Sequence, residues 1–195
     1  LKKYKGILSE PEEKEWLESV KNASKNFNEV LTKAGFEKGK DLTQDQLDEL
    51  FRQMNVLAYN RALNRHLYKD IGIKNFNNKL RILLFGKEPL PKRIDQFVDI
   101  KGIKEVTVSH FLSMYNLQEY PFFSVQTYSA LDLNYSQEQE ALNEALSENS
   151  ISDPRKYNDV TVDYLKHYVI FREIKKVLHL ESYPQVTAIL WHIYS

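Results

Sequence analysis

The sequence predicts an all-α protein, a multi-helix globular domain, and three observations support this class. Apolar residues recur every three or four positions along most of the chain, which is the spacing of helices with one buried face. The strict apolar–polar alternation of a strand is nearly absent. Glycine and proline separate the apolar segments, so the chain divides into about seven or more successive helices.

The first predicted helix runs from Pro11 to Gly35. Ser9 is placed to cap its first turn, and proline is favoured there because its missing N–H would have no partner anyway. Gly35 ends the helix because glycine readily adopts the left-handed conformation of a C-terminal cap.

A second start signal is the capping box of Thr43 and Gln46, after which apolar positions continue to Leu63. The sequence therefore predicts one long helix that ends by Gly72. Breaks at Gly86 and at two nearby prolines separate the elements that follow. Those elements are predicted over 76–85, 92–98, 107–115, 120–131, 137–147, 160–180 and 186–194.

Each helix should bury the residues of its apolar stripe. The predicted core comprises Trp16, Leu50, Leu84, Phe97, Leu112, Leu131, Leu165, Val169 and Leu190. At 195 residues the chain can form one domain, 1–195, or two lobes of about 1–86 and 87–195. We expect this domain to be part of a longer protein.

Composition excludes several function classes. The chain has no cysteine, which rules out disulfides, thiolate metal sites and cysteine nucleophiles and favours a cytoplasmic location. Its five histidines do not occur at the spacing of a zinc site, so we expect neither a metal nor a cofactor. No apolar run is long enough to span a membrane, and we expect no membrane partner.

Charge is unevenly distributed although the net charge is zero. Residues 50–104 hold 12 Lys and Arg against 4 acidic residues, whereas residues 105–195 hold 6 against 12. A basic segment of this kind can form a surface for a polyanion, with an acidic face elsewhere. The alternative is that these charges are scattered over solvated helix faces.

The most informative stretch is Ile100–Leu112, in which Gly102 lies between two isoleucines and precedes Thr107. This pattern resembles the helix-hairpin-helix element of DNA-binding proteins, with Lys104 where the element has its second glycine. The resemblance implies that backbone amides of the hairpin and the following helix N-terminus hold a DNA phosphate. The alternative is an ordinary helix–turn–helix corner with a glycine cap.

A DNA-binding surface can be assigned on this basis, with double-stranded DNA as the partner. The hairpin and the helix after it would contribute Lys101, Gly102, Ile103, Lys104, Thr107, Ser109 and His110. Basic residues elsewhere would extend the phosphate track, namely Lys87, Lys92, Arg93, Arg52, Arg61 and Arg65.

The order of a hairpin, a Tyr-Pro loop and an apolar helix over residues 100–131 looks like the core of the helix-hairpin-helix DNA glycosylase superfamily. The family's catalytic Asp falls on Gln126, and the nucleophilic Lys of its bifunctional members falls on Val106. A neutral amide cannot act as a general base. The resemblance therefore implies a glycosylase-like scaffold without the catalysis.

A further resemblance, over roughly residues 80–195, is to helical domains attached to McrB-like restriction GTPases. It rests on the segments at 86–91, 100–103, 120–121 and 188–191. It implies the target-recognition module of a modification-dependent restriction or defence protein, whose other domains or subunits would be partners. The chain itself has no Walker A sequence, so any GTPase or nuclease would lie elsewhere.

Aromatic residues follow the hairpin closely and could form a pocket for an unstacked, modified base. The candidate residues are Tyr120, Phe122, Phe123, Gln126 and Tyr128. The alternative is that these rings are core.

Two other functions stay open at this point. The first is a helical protein–protein interaction domain that associates through its basic and acidic halves. The second is a divergent DNA glycosylase that uses an unfamiliar acid, Asp132 or Glu119.

Overall fold

The computed structural model describes residues 6–57, 68, 71–131, 133 and 135–194, without the side chain of Val125. Within these ranges the chain forms α-helices, two short 3-10 turns and no strand, which confirms the all-α prediction. The helices are α1 (Pro11–Ala34), α2 (Gln44–Met54), α3 (Ile73–Phe85), α4 (Leu90–Val98), α5 (Glu105–Tyr115), α6 (Val125–Leu131), α7 (Tyr135–Glu148), α8 (Asp159–Val177) and α9 (Tyr183–Tyr194).

The N-terminal helix largely follows its sequence signals. Pro11 lies in the first turn, and Gly35 caps the end at φ 70°, donating its N–H to Leu31 and Thr32. The expected cap at Ser9 is wrong by one position, because Glu10 is the N-cap and makes no side-chain capping bond.

The capping box that starts α2 is confirmed. Thr43 Oγ1 accepts a hydrogen bond from Gln46 N at 3.3 Å, and Gln46 Oε1 accepts one from Thr43 N at 2.9 Å. The α-helix is shorter than expected, since a 3-10 turn over Asn55–Leu57 replaces it after Met54. The rest of the predicted helix, to Leu63, lies outside the described residues.

The end of α8 was not signalled in the sequence. The predicted helix reaches Leu180, but the observed one stops at Val177 because His179 adopts a left-handed conformation with φ 52°. Leu180 N then donates to Lys175 O at 2.9 Å, which closes the last turn as a left-handed cap does.

One continuous core joins residues from α1 to α9. Its centre is α5, which contacts α1, α2, α3, α4 and α8 and buries eight consecutive residues from Thr107 to Met114. Seven of the nine predicted core residues are buried, whereas Trp16 and Leu131 are partly buried. The indole N–H of Trp16 donates to Val56 O at 3.2 Å.

Polar groups tie distant segments to this core. Asn77, fully buried on α3, accepts from Leu42 N at 3.0 Å and donates to Leu42 O at 2.9 Å. At the C-terminal end of α5, Ser24 Oγ donates to Met114 O at 2.7 Å. Asn28 Nδ2 donates to Met114 O at 3.2 Å and to Tyr115 O at 3.1 Å. These bonds fix α5 against α1 because a buried carbonyl without a donor is costly.

Candidate nucleic-acid interface

A tight hairpin connects α4 to α5. Ile100 N donates to Phe97 O at 3.3 Å, and Ile103 N donates to Ile100 O at 3.1 Å. Gly102 has φ +89°, and among the described residues no heavy atom lies within 4 Å of the position where its Cβ would stand. Ile100 and Ile103 are buried, so the hairpin is anchored in the core while its tip is open to solvent.

The N-terminus of α5 follows directly. Lys104 is the N-cap, with extended backbone and no side-chain capping bond. The first intrahelical bond runs from Val108 N to Lys104 O at 3.1 Å. In the part of the chain that the structure describes, the three amides of Glu105, Val106 and Thr107 donate no hydrogen bond. Such orphan amides, together with the helix dipole, favour an anion.

Positive charge prevails near the hairpin tip. Lys101 and Lys104 are exposed, and neither forms an ion pair with a described residue. Asp99 is paired with Lys79 at 3.2 Å, and the same ammonium donates to Gln96 O at 2.6 Å. Glu105 is half-buried in the first turn of α5 and is the acidic group that opposes an anion here.

The other basic residues predicted to extend the phosphate track differ in their exposure and in their partners. Lys87 and Lys92 are exposed at the opposite end of α4, where Lys92 lies 3.4 Å from Glu88. Arg93 is half-buried and donates to Leu83 O at 2.7 Å, so its guanidinium holds the end of α3. Arg52 is exposed and pairs with Glu49. Arg61 and Arg65 lie outside the described residues.

The expectation that side chains of α5 contact phosphate is wrong for three residues, because Thr107, Ser109 and His110 are buried. Ser109 Oγ donates to Val106 O at 2.7 Å and accepts from Phe123 N at 3.0 Å.

His110 is held in the same way by backbone carbonyls. Its Nδ1 lies 2.5 Å from Val106 O, and its Nε2 lies 3.2 Å from Leu57 O. Burial lowers the pKa of His110, and the hydrogen bonds to the two carbonyls oppose this shift. Because α5 is surrounded by other helices, only its two ends reach solvent, and Thr107 to Met114 are buried.

The aromatic pocket is also wrong as a stacking site for a base. Tyr120, Phe122 and Phe123 are buried. Phe122 packs against Trp16 and Trp191, with ring centroids 6.0 Å from each. Phe122 and Phe123 pack between α5 and the helices α1, α8 and α9.

Gln126 and Tyr128 differ from the other pocket candidates. Gln126 is exposed on α6. Tyr128 is half-buried with its ring 4.3 Å from that of His167. Burial raises the pKa of Tyr128, and the nearby carboxylates of Glu105 and Asp163 add to this.

His167 is the titratable partner in this contact. Burial, reinforced by the charge of Lys166, lowers the pKa of His167 to about 4. The ring is therefore neutral at pH 7 and serves as packing surface. In the described ranges, no three His, Asp or Glu side chains come together as metal ligands.

Two surface features were not predicted from the sequence. One is a small cavity between Phe36, Phe85 and Tyr115, which are far apart along the chain. The other is an apolar groove between α8 and α9. Its signal was weak, because Val177 and Ile193 lie on the same helical stripes as core residues.

Comparisons of the chain with protein-family models, with curated proteins and with solved structures gave no match. Within the described ranges, no helix has the length and apolar character needed to cross a membrane.

Proposed function

We propose that this chain is a non-catalytic DNA-binding domain that holds the phosphate backbone at the hairpin of residues 99–104. The observation that carries the proposal is the N-terminus of α5. Three amides there donate to no described residue, and they lie next to the open tip at Gly102 and the exposed ammonium groups of Lys101 and Lys104. Amides and dipole favour the anion, and the lysines attract it from solution.

Contacts of this kind read the backbone and not the bases. The proposed track therefore provides general duplex affinity. Modification sensing, as expected of a restriction module, would need a further group that reaches a base. The exposed Gln126 is the best candidate, since its amide can donate and accept hydrogen bonds at a base edge. We propose that the domain serves in this way within a larger restriction or defence protein.

We also propose that the domain does not cleave the glycosidic bond. Gln126 is neutral, and Val106 has no amine. Glu119, one of the alternative acids, follows the C-terminal end of α5 and accepts from Asn116 Nδ2 at 3.1 Å. It is thus about 16 Å from the hairpin along the helix. Asp132, the other, lies outside the described residues.

The test is a salt titration of duplex binding. A fluorescein-labelled duplex of plain DNA is titrated with the protein at several NaCl concentrations, and the anisotropy gives the Kd. If two to four phosphates are neutralised, the log–log slope of affinity against salt should be roughly −2 to −4. Binding that is absent at low salt, or insensitive to salt, would contradict the proposal. Release of free base from lesion-bearing duplex would instead support the glycosylase alternative.

A second candidate function is favoured by one observation. The groove between α8 and α9 has a volume of about 350 Å³. Beside it, Val177 is 65% exposed and Ile193 is 52% exposed. An apolar surface of this kind is typical of a protein-interaction site. Sedimentation velocity without DNA discriminates the candidates, because concentration-dependent self-association would favour the interaction domain.

A further inference from the structure

A separate cavity lies at the other end of α5, where three helices finish together. The last residues of α1, α3 and α5 surround it, and its volume is about 200 Å³. Pockets for drug-sized ligands are typically about 300–1,000 Å³, so this one suits a single head group.

Aromatic rings form its walls at steep angles to each other. Phe85 and Tyr115 have centroids 5.2 Å apart at an interplanar angle of 73°. Phe36 and Phe85 have centroids 6.1 Å apart at 67°. These pairs meet edge to face, and all three rings line the cavity. The ring face is the negative part of the aromatic quadrupole, and it attracts cations.

One of these rings already accepts a cation within the protein. The guanidinium carbon of Arg81 lies 4.5 Å from the centroid of Phe36. The guanidinium is also held in place, since Arg81 donates to Phe36 O at 2.9 Å and pairs with Asp41 at 2.9 Å. Phe36 therefore already has a cation partner, which leaves Phe85 and Tyr115 as the rings available to a ligand.

Polar groups at the cavity add acceptors. The amide nitrogen of Asn28 is occupied by the carbonyls of α5, which leaves its oxygen as an acceptor. The carboxylate of Glu37 lies at the exposed rim. Three helix C-termini add partial negative charge, about half an elementary charge each before screening.

The charged groups that act on the Tyr115 phenol are also negative on balance. Burial raises the pKa of the Tyr115 phenol, and the nearby carboxylates of Glu37 and Glu119 raise it further, against the opposing effect of Arg93. Lys38 also lines the cavity, but its side chain is exposed on a flexible stem and can extend into solvent.

We infer that this cavity binds a methylated ammonium group, held by the rings of Phe85 and Tyr115 and by the carboxylate of Glu37. Such a group satisfies both features of the cavity, since its methyl groups fill an apolar space and its charge is spread toward the ring faces. It could belong to a free quaternary amine or to a methylated lysine side chain.

The experiment compares ligands that differ in charge. Choline and its neutral isostere 3,3-dimethyl-1-butanol are titrated separately into the full chain, with NMR shifts of the aromatic side chains as the readout. We expect choline to bind at least about fivefold more tightly. Equal affinity, or no saturable shift of Phe85 and Tyr115 with either compound, would overturn the inference.

A second arm distinguishes the sources of the group. N-acetyl-trimethyllysine amide is compared with its unmethylated form and with choline. Tighter binding of the trimethyllysine compound than of choline points to a protein side chain, and the reverse points to a free amine. Either result supports the inference, whereas equal binding of methylated and unmethylated lysine would contradict it.

Variants then locate the site. Glu37→Gln should weaken choline binding about threefold or more, whereas Glu12→Gln, an exposed carboxylate near the start of α1, should leave it unchanged. Tyr115→Phe should keep most of the affinity because it keeps the ring. Tyr115→Leu should lose it, with thermal unfolding to confirm that the variant folds. If Glu37→Gln and Glu12→Gln have equal effects, the site is wrong.

Discussion

The two ends of α5 present opposite environments. At its N-terminus, the hairpin tip is open, three amides donate to no described residue, and Lys101 and Lys104 are exposed. At its C-terminus, the last carbonyls are held by α1, and carboxylates and aromatic rings gather round Tyr115. The helix dipole adds positive charge at the N-terminus, as the lysines do, and negative charge at the C-terminus, as the carboxylates do. One buried helix can therefore carry an anion site and a cation site about 16 Å apart.

The largest expected effect is that acid should destabilise the fold through His167 on α8. The pKa of His167 is lowered to about 4, against about 6.5 when unfolded, so the unfolded chain binds more protons between these values. The contribution of His167 to the free energy of unfolding is therefore fully present above about pH 6.5 and is lost as the pH falls toward 4. Between pH 7 and pH 4.5, urea unfolding should show a loss of about 2 kcal/mol from this residue.

His110, whose pKa is also lowered, adds to the loss in the same direction. The variant His167→Gln should lose much of the pH dependence. His192→Gln, at an exposed position on α9, should retain it. An unchanged slope in His167→Gln would show that His167 has the same pKa in the folded and the unfolded chain.

At the C-terminal end, Asn28→Ala should reduce stability by about 1–2 kcal/mol, because the carbonyls of Met114 and Tyr115 lose a donor. Asn26→Ala is the matched control, since Asn26 is exposed on the same helix and makes a surface contact with Gln53 at 3.4 Å. Its effect on urea unfolding should be within about 0.5 kcal/mol. Duplex affinity should not change in either variant, and a parallel loss of binding in Asn28→Ala would mean that the two ends are not independent.

At the N-terminal end, Lys104→Glu should weaken duplex binding about tenfold, which corresponds to about 1.4 kcal/mol. It puts negative charge beside the amides that would hold phosphate. The control is Lys25→Glu, which reverses an exposed charge on α1 next to Ser24, at the opposite end of α5. Anisotropy titrations at one salt concentration give both values, and equal losses would leave the hairpin with a structural role only.

The smallest effect is expected at Gln126. Gln126→Ala should change the ratio of affinities for modified and plain duplex by about threefold or less, because one hydrogen bond to a base edge is lost. Ser129→Ala, exposed on the same short helix, is the control. Unfolding curves of both variants should match the parent. If the ratio is the same in all three proteins, Gln126 is not in contact with the bases.

The sequence by itself determined the helical class and most helix ends. Thr43 with Gln46 starts α2, Gly35 ends α1, and Gly86 ends α3, as predicted. The turn at Gly102 was also predictable. These features follow from local rules, since a capping bond or a positive φ involves residues within one turn of each other.

Tertiary structure alone decided which side chains reach solvent. Ser109 and His110 were assigned to the surface, but helices from distant parts of the chain cover them. Phe122 and Phe123 fill the core for the same reason. The left-handed residue His179 ended α8 without a glycine.

The cavity at Tyr115 likewise depends on three helices that meet only in the fold. Burial is the sum of contacts between segments far apart in sequence, and spacing within one segment does not contain it. The amide cluster at the start of α5 could be predicted from the sequence because it belongs to the backbone, whereas the side chains around it could not.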